Sequence, residues 1–291
     1  MISSLPIVRD RLRVPTGPVT LADYDARATP GAPGRRDHTK EVLAEAGPRL
    51  ADWQERLYAE GNVAQGEPSP RRLLLVLQGM DTSGKDGTIK HVLGAVNPLG
   101  SSIAAFKKPT SAELRHDFLW RIRQRLPAAG MIGIFNRSHY EDVLIGRVHG
   151  LARPEVIEKR YGQINQFEEE LIADGVTLVK VFLHISPDEQ RERLLARLAD
   201  STKHWKFNAA DLSERRLWAD YQAAYEVVME RCNSEAAPWF LVPADRKWYR
   251  NWAVSALLIE TLEEMDPGYP QPELDVAALT RELEADPAAG A

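Results

Sequence analysis

One nine-residue stretch restricts this chain more than any other. The aliphatic run Arg72 to Gln78 (RLLLVLQ) leads straight into Gly79-Met80-Asp81-Thr82-Ser83-Gly84-Lys85-Asp86-Gly87, and a helix-forming stretch, Thr88 to Val96, follows. Strand, glycine loop and helix in that order is what a phosphate-binding P-loop, or Walker A motif, requires. Glycines let successive backbone N–H groups turn toward one anion, the helix N-terminus adds partial positive charge, and Lys85 adds a full one. Gly79, Thr82, Ser83, Gly84, Lys85, Asp86 and Gly87 are therefore read as phosphate-binding. A ligand-free glycine turn is the competing reading, and it leaves the lysine in register unexplained. The pattern GxxxxGK[ST] breaks at its last position, where Asp86 replaces the hydroxyl residue that normally holds magnesium. Asp81 offers a carboxylate instead, which a hard cation bound mainly by oxygen and water accepts.

Four more apolar runs follow, Ser102 to Phe106, Met131 to Phe135, Val176 to Ile185 and Trp239 to Val242, each leaving room for a helix before the next. The alternation predicts an α/β, three-layer P-loop kinase fold: a five-stranded parallel sheet with right-handed crossovers, flanked by helices. Thr110 with Glu113, and Ser186 with Pro187 and Glu189, mark helix starts by the capping-box pattern. Leu43, Leu50, Trp53 and Leu57 recur at helical spacing, and Pro48 among them either kinks one helix or begins a second. Gly61 to Pro70 reads as a loop. With 291 residues and 44% hydrophobic content, one large core is expected over residues 38–266. An extended arm rich in Pro, Gly and Arg precedes it (1–37). A tail follows (267–291), whose weakly amphipathic piece, Val276 to Leu283, suits a surface or partner contact.

Several classes are set aside. The longest aliphatic run, Leu73 to Leu77, is too short to span a bilayer and the start lacks a signal-like stretch, so a cytoplasmic protein without a membrane partner is expected. Cys232 is the only cysteine, which rules out an internal disulfide or a cysteine-rich zinc site. The net charge of −5 argues against nucleic acid as a partner. It conceals two basic stretches, with six Lys or Arg against two acids in 107–125 and five against two in 191–206. Such stretches suit an anionic ligand, although solvated helix faces would look the same.

The third run ends in Asn136-Arg137-Ser138-His139-Tyr140-Glu141-Asp142, placing polar groups at the carboxyl end of a strand, the edge where open α/β sheets bind ligands. Many P-loop enzymes carry an Asp there to orient metal-bound water; this chain carries Asn136 and brings acids only with Glu141 and Asp142. Asp81, Asn136 and Glu141 are the candidate metal ligands. None of His91, His116, His139 or His184 is assigned as a base.

Taken together, GMDTSGKDG, FNRSHYED, KHWKFN (Lys203 to Asn208), APW (Ala237 to Trp239) and PADRKWYRN (Pro243 to Asn251), in this order across about residues 40 to 265, resemble the polyphosphate kinase 2 family. The resemblance implies transfer of a terminal phosphoryl group between inorganic polyphosphate and a nucleotide. It also implies a core similar to nucleoside monophosphate kinases with a mobile helical lid, a Mg²⁺ cofactor that Mn²⁺ can replace, and a homo-oligomer, dimer or tetramer. By position, Asp81 and Lys85 match the family's loop carboxylate and lysine, and Asn136, Arg137 and Glu141 match its second motif; these five are the expected catalytic residues. Members acting mainly on ADP tend to carry Asp followed by RSWYNR where this chain has Asn136 and RSHYED. That difference resembles the subgroup that phosphorylates AMP, some of whose members continue to ATP.

The lid is expected at about 190–215, with Arg193, Arg197, Lys203 and Lys206 reaching phosphate and Trp205 and Phe207 as anchors. Lys247 and Arg250, after the last strand, can return to the ligand edge as further polyphosphate contacts. Lys107 and Lys108, at the end of the second strand, are read with Arg137 and Glu141 as nucleotide-binding. Ordinary solvation competes for each of these cations. Two other functions share the loop: an ATP-dependent small-molecule or nucleoside monophosphate kinase, indifferent to polyphosphate, and a non-catalytic nucleotide-binding regulator, which leaves the second motif unexplained.

Overall fold

All five expected strands form, β1 (Arg72–Gln78), β2 (Ser101–Ala105), β3 (Ile132–Asn136), β4 (Val176–His184) and β5 (Trp239–Pro243), and every pairing is parallel in the order β2-β3-β1-β4-β5. This computed structural model describes residues 8–63 and 67–285. Residues 1–7 of the arm, 64–66 of the Gly61 to Pro70 loop and 286–291 of the tail lie outside the described residues. The most aliphatic strand, β1, takes the centre, where both faces are covered and all of its residues are buried. At one edge β2 is only partly covered, and Ile103 is exposed.

The described residues form eleven helices: α1 (Arg9–Leu12), α2 (Arg36–Gly61), α3 (Lys85–Leu93), α4 (Trp120–Arg123), α5 (Glu141–Val148), α6 (Pro154–Ala173), α7 (Pro187–Ala199), α8 (Ala210–Arg216), α9 (Trp218–Arg231), α10 (Lys247–Met265) and α11 (Val276–Ala285). Among the described residues, none is long and apolar enough to cross a membrane. Strand register sets Leu77 opposite Asn136 and Val181, so the ends of β1, β3 and β4 finish nearly level. The glycine loop therefore opens directly beside the second motif.

Pro48 does not divide α2, which runs through it as one helix. An interior proline costs about 3 kcal/mol. Burying Leu50 and Leu57 in the core, with α2 packed on α10, returns about 1.5–3 kcal/mol for each leucine. Thr110 and Glu113 form the reciprocal box, Glu113 N–H donating to Thr110 Oγ1 (3.2 Å) and Thr110 N–H to Glu113 Oε2 (2.7 Å), but it opens only a 3₁₀ turn, Glu113–Arg115. Ser186 caps α7 through Glu189 N–H (3.1 Å). The other half of that cap belongs to Asp245, which accepts from Ser186 N–H (2.9 Å) and Oγ–H (2.8 Å), joining the loops after β4 and β5.

The described part of the arm is stitched into the core. Val14 N–H donates to Trp239 O (2.9 Å), Arg13 bridges Phe240 in antiparallel fashion, and Val8, Leu12, Val14, Val19 and Leu21 are buried. It covers the open edge of β5, whose unpaired backbone groups would otherwise invite another chain. At the other terminus α11 buries nothing, and Val276, Leu279 and Leu283 are exposed.

Candidate active site

The loop after β1 closes on itself through Ser83 N–H to Met80 O (3.0 Å), and α3 begins at Lys85. Three non-glycine residues among those described adopt left-handed backbone, and two of them stand in the two motifs: Thr82 (φ 65°) and Arg137 (φ 64°). Such strain costs of order 1–3 kcal/mol per residue and persists where the surroundings impose it, commonly at functional sites. Gly84 (φ 104°) has a second constraint, because a Cβ there would collide with the Arg250 guanidinium. Gly84→Ala is expected to lower stability by roughly 1–3 kcal/mol in urea denaturation.

Lys85 is buried, and its Nζ donates to Gly79 O (2.7 Å) and Met80 O (3.3 Å) within the loop. Burial, with Arg137 adding to it, pulls its pKa down to about 8, against the opposing pull of Asp81, Glu141 and Asp86. A phosphate beside the ammonium would favour the charged form. For a cation, the charged fraction falls as pH rises through this value, so kcat/KM, which reports the free protein, is expected to decline above pH about 8. A profile flat to pH 10 would remove Lys85 from the site.

The second motif meets the loop through two contacts, and a third holds Arg137 within the motif. Arg137 donates to Asp81 Oδ1 (2.8 Å) and to Glu141 Oε2 (3.4 Å), and Asn136 Nδ2 donates to Asp86 Oδ1 (2.8 Å). Glu141 keeps 12% of its side chain exposed, and burial pushes its carboxyl above the ordinary range, although Arg137 and Lys85 counter it. With its amide nitrogen turned toward the carboxylate, Gln78 donates to Glu141 Oε1 (3.0 Å). One lysine, one arginine and three carboxylates thus converge at the end of the central strands.

The polyphosphate kinase 2 (PPK2) family model matches residues 34–270 of this sequence. The chain belongs to the polyphosphate kinase 2 family. It is 48% identical to the AMP/ADP-polyphosphate phosphotransferase of Meiothermus ruber, over 89% of this chain and 94% of that protein. It is 44% identical to the ADP-polyphosphate phosphotransferase of Rhodopseudomonas palustris, over 81% and 83%. The crystal structure of polyphosphate kinase 2 from Arthrobacter aurescens TC1 matches with a TM-score of 0.92 and 48% identity, covering 96% of this chain and 97% of that one.

In this polyphosphate kinase 2 chain the expected lid cations divide. Arg193 is not aimed at a ligand: its guanidinium lies behind the loop, donating to Glu189 (2.8 Å), Thr82 O (2.8 Å), Ser83 O (3.0 Å), Ala244 O (2.6 Å) and Asp245 O (3.1 Å). Every one of its donor nitrogens is satisfied by protein, so it braces the loop's carbonyls outward. Gln190, one turn earlier on α7, donates to Asp81 O (3.0 Å). Arg197, Lys203 and Lys206 stay away from the loop. Arg197 reaches Lys206 O (3.3 Å), Lys203 pairs with Asp200 (2.6 Å), and Lys206 lies over the Trp205 ring (4.9 Å). Trp205 is 79% exposed and anchors nothing, because the turn that carries it, Ser201–Lys206, has no buried residue.

Lys107 and Lys108 are exposed on a cavity of about 370 Å³ shared with Arg121 and Arg125, next to the second motif through Phe106 N–H to Asn136 O (3.0 Å). Lys247 lines a separate cavity toward β5. Arg250 is buried behind Gly84 and Gly87. Sequence reasoning missed Gln190, Gln78 and Tyr225, whose hydroxyl accepts Gly79 N–H (3.2 Å). The spacing of Gln190 and Arg193 along a capped helix was a signal for the first; nothing local marked Tyr225.

Among the described residues, no group of three or more His, Cys, Asp or Glu side chains could hold a metal alone. Asp81, about a third exposed, and the side-chain oxygen of Asn136 fit a cation that completes its shell with phosphate oxygens and water. Glu141, also expected as a ligand, accepts from Arg137 and Gln78, as Asp81 accepts from Arg137.

Proposed function

We propose that this chain catalyses reversible transfer of the terminal phosphoryl group of inorganic polyphosphate to AMP and ADP. What carries the reading is Lys85, inside the loop, facing an Arg137 held between Asp81 and Glu141. A nucleotide phosphate is already anionic near neutral pH, its second pKa being about 6, so it attacks without a general base. His139 suits that chemistry, being buried against Glu168 rather than open to substrate.

Lys85 and the loop amides hold the transferring group, and Arg137 offsets charge spreading over its equatorial oxygens. The terminal P–O–P bond breaks while a nucleotide phosphate oxygen forms the new P–O bond, and the shortened polyphosphate leaves with the electron pair. No phosphoenzyme is needed. Mg²⁺, or Mn²⁺ with its similar preference for octahedral oxygen, would be held by Asp81 and Asn136 and supply positive charge to donor and acceptor oxygens. Acceptance of AMP as well as ADP follows the Asn136 and RSHYED pattern and the name of the Meiothermus ruber relative. A homo-oligomer, dimer or tetramer, implied by the resemblance, and the cytoplasm, expected from the sequence's short apolar runs, complete the proposal.

Nucleotides resolved over time from AMP and from ADP, each with polyphosphate and Mg²⁺, test it. ADP followed by ATP is expected from AMP. Transfer from ATP alone, with polyphosphate ignored, would establish the ATP-dependent kinase in its place.

A further inference from the structure

The helix α8 rests on the molecule without an apolar anchor. None of its seven residues is buried, nor is any in the turn Ser201–Lys206 that precedes it, so the segment is held by polar contacts. Asp211 lies 3.8 Å from Arg197 of α7. Glu214 accepts from the Tyr221 hydroxyl (2.7 Å), and His149, just past the end of α5, is 3.1 Å away. Arg215 donates through Nη1 to Pro187 O (2.7 Å) and to Gln190 Oε1 (2.8 Å), both on α7.

The Arg215 contact extends beyond α7. Gln190 is 2% exposed, and the other end of its amide, Nε2, donates to Asp81 O (3.0 Å) in the phosphate loop. A carboxamide presents an acceptor at one end and donors at the other. Turned over, this one would set its NH₂ group against a guanidinium and its oxygen against a carbonyl oxygen, two repulsive pairs. Arg215 therefore decides which way the amide faces, and burial makes an unpaired end costly.

The peptide held in this way belongs to the site. Asp81 Oδ1 accepts from Arg137 Nη2 (2.8 Å), and the residue after it, Thr82, is the left-handed one. Gln190 and Arg193, one turn apart, together take the carbonyls of Asp81, Thr82 and Ser83, three in succession. Arg193 has further partners in Glu189, Ala244 and Asp245, whereas the orientation of Gln190 depends on α8. We propose that Gln190 is a positioning residue for phosphoryl transfer that couples α8 to the loop: with Arg215 in place its amide holds the Asp81 peptide, and Asp81 in turn holds Arg137. A displacement of α8 that takes Arg215 away frees the amide to turn and loosens Asp81, while Lys85 keeps its own contacts with Gly79 O and Met80 O. The inference rests on the proposed function and deepens it.

Gln190→Glu tests it, because the new side chain keeps an acceptor for Arg215 and offers Asp81 O no donor. With polyphosphate and AMP its kcat is expected to fall about tenfold, as small misplacements at a reacting centre do, while KM for AMP stays within about twofold. Gln190→Leu and Arg215→Met should each show a similar loss, and the double variant no more than either alone, as coupled residues behave. Amide hydrogen exchange over Gly79 to Gly87 is expected to quicken in Arg215→Met, although Arg215 bonds to none of these residues, and to quicken no further when Gln190→Leu is added. Turnover retained in Gln190→Glu would overturn the inference and make Gln190 a strut for α8 alone. Losses that multiply in the double variant would overturn it too, by putting Arg215 on the substrate. Should the wild type turn over no polyphosphate, the proposed function fails and the exchange comparison still decides the coupling, which loop exchange unmoved by Arg215→Met would refute. If Gln190→Leu melts early, Gln190→Met takes its place in the cycle.

Discussion

Lys85→Ala is expected to lower kcat/KM for phosphoryl transfer by a hundredfold or more, the roughly 3 kcal/mol that one positioned charge contributes at such a site. The fold should survive the change. Lys85 is buried with its pKa pulled down to about 8, so its folded-state value lies below its unfolded one and burying the cation costs stability near neutral pH. Removing it relieves that cost, and the urea midpoint is expected to hold or rise even as turnover collapses. Near-normal turnover in Lys85→Ala would detach the loop from the chemistry.

The second large effect lies beneath the second motif. Lys180 of β4 donates to Glu168 of α6 (2.7 Å) and to Cys232 O (2.8 Å), Tyr140 donates to the same carboxylate (2.6 Å), and His139 Nε2 lies 3.2 Å from it. All four side chains are buried. Burial alone would raise the Glu168 pKa, but Lys180 and His139 outweigh it and hold the carboxyl below its ordinary range. Glu168→Ala strands the Lys180 ammonium and is expected to cost about 3–5 kcal/mol in urea denaturation. Glu168→Leu/Lys180→Met, which removes both charges, should recover most of that loss. The carboxylate's folded pKa is depressed, so its contribution is present above the ordinary carboxylate pKa and disappears as pH falls through the folded value. A loss below about 1 kcal/mol in Glu168→Ala would mean that the cluster does not hold the motif.

What could be read in advance was local. The run Arg72–Gln78, the glycines and Lys85 specify strand, loop and helix within some twenty residues, and each aliphatic run became a strand because no other short segment could fill a sheet covered on both faces. Functions that depend on distant partners were not legible. Arg193 looks like any helix-face arginine until Thr82 and Ser83, more than a hundred residues earlier, present their carbonyls to it. Trp205 suggested an anchor by its chemistry, but the turn that carries it has no core within reach. The arm's Val8, Leu12, Val14 and Leu21 keep no single period, because they meet different elements in turn: Val8 N–H donates to Glu260 of α10, Val14 N–H to Trp239 O of β5 and Leu21 N–H to Glu226 of α9.

The central claim is direct transfer from polyphosphate to nucleotide at the loop that holds Lys85. Polyphosphate labelled in its terminal phosphoryl group, mixed with AMP or ADP and Mg²⁺ and quenched within one turnover, tests it most directly. Label appearing in the nucleotide at the turnover rate, with none on the protein and none transferred by Lys85→Ala, is the predicted result. Label accumulating on the protein before it reaches the nucleotide, or transfer that continues without Lys85, would contradict it.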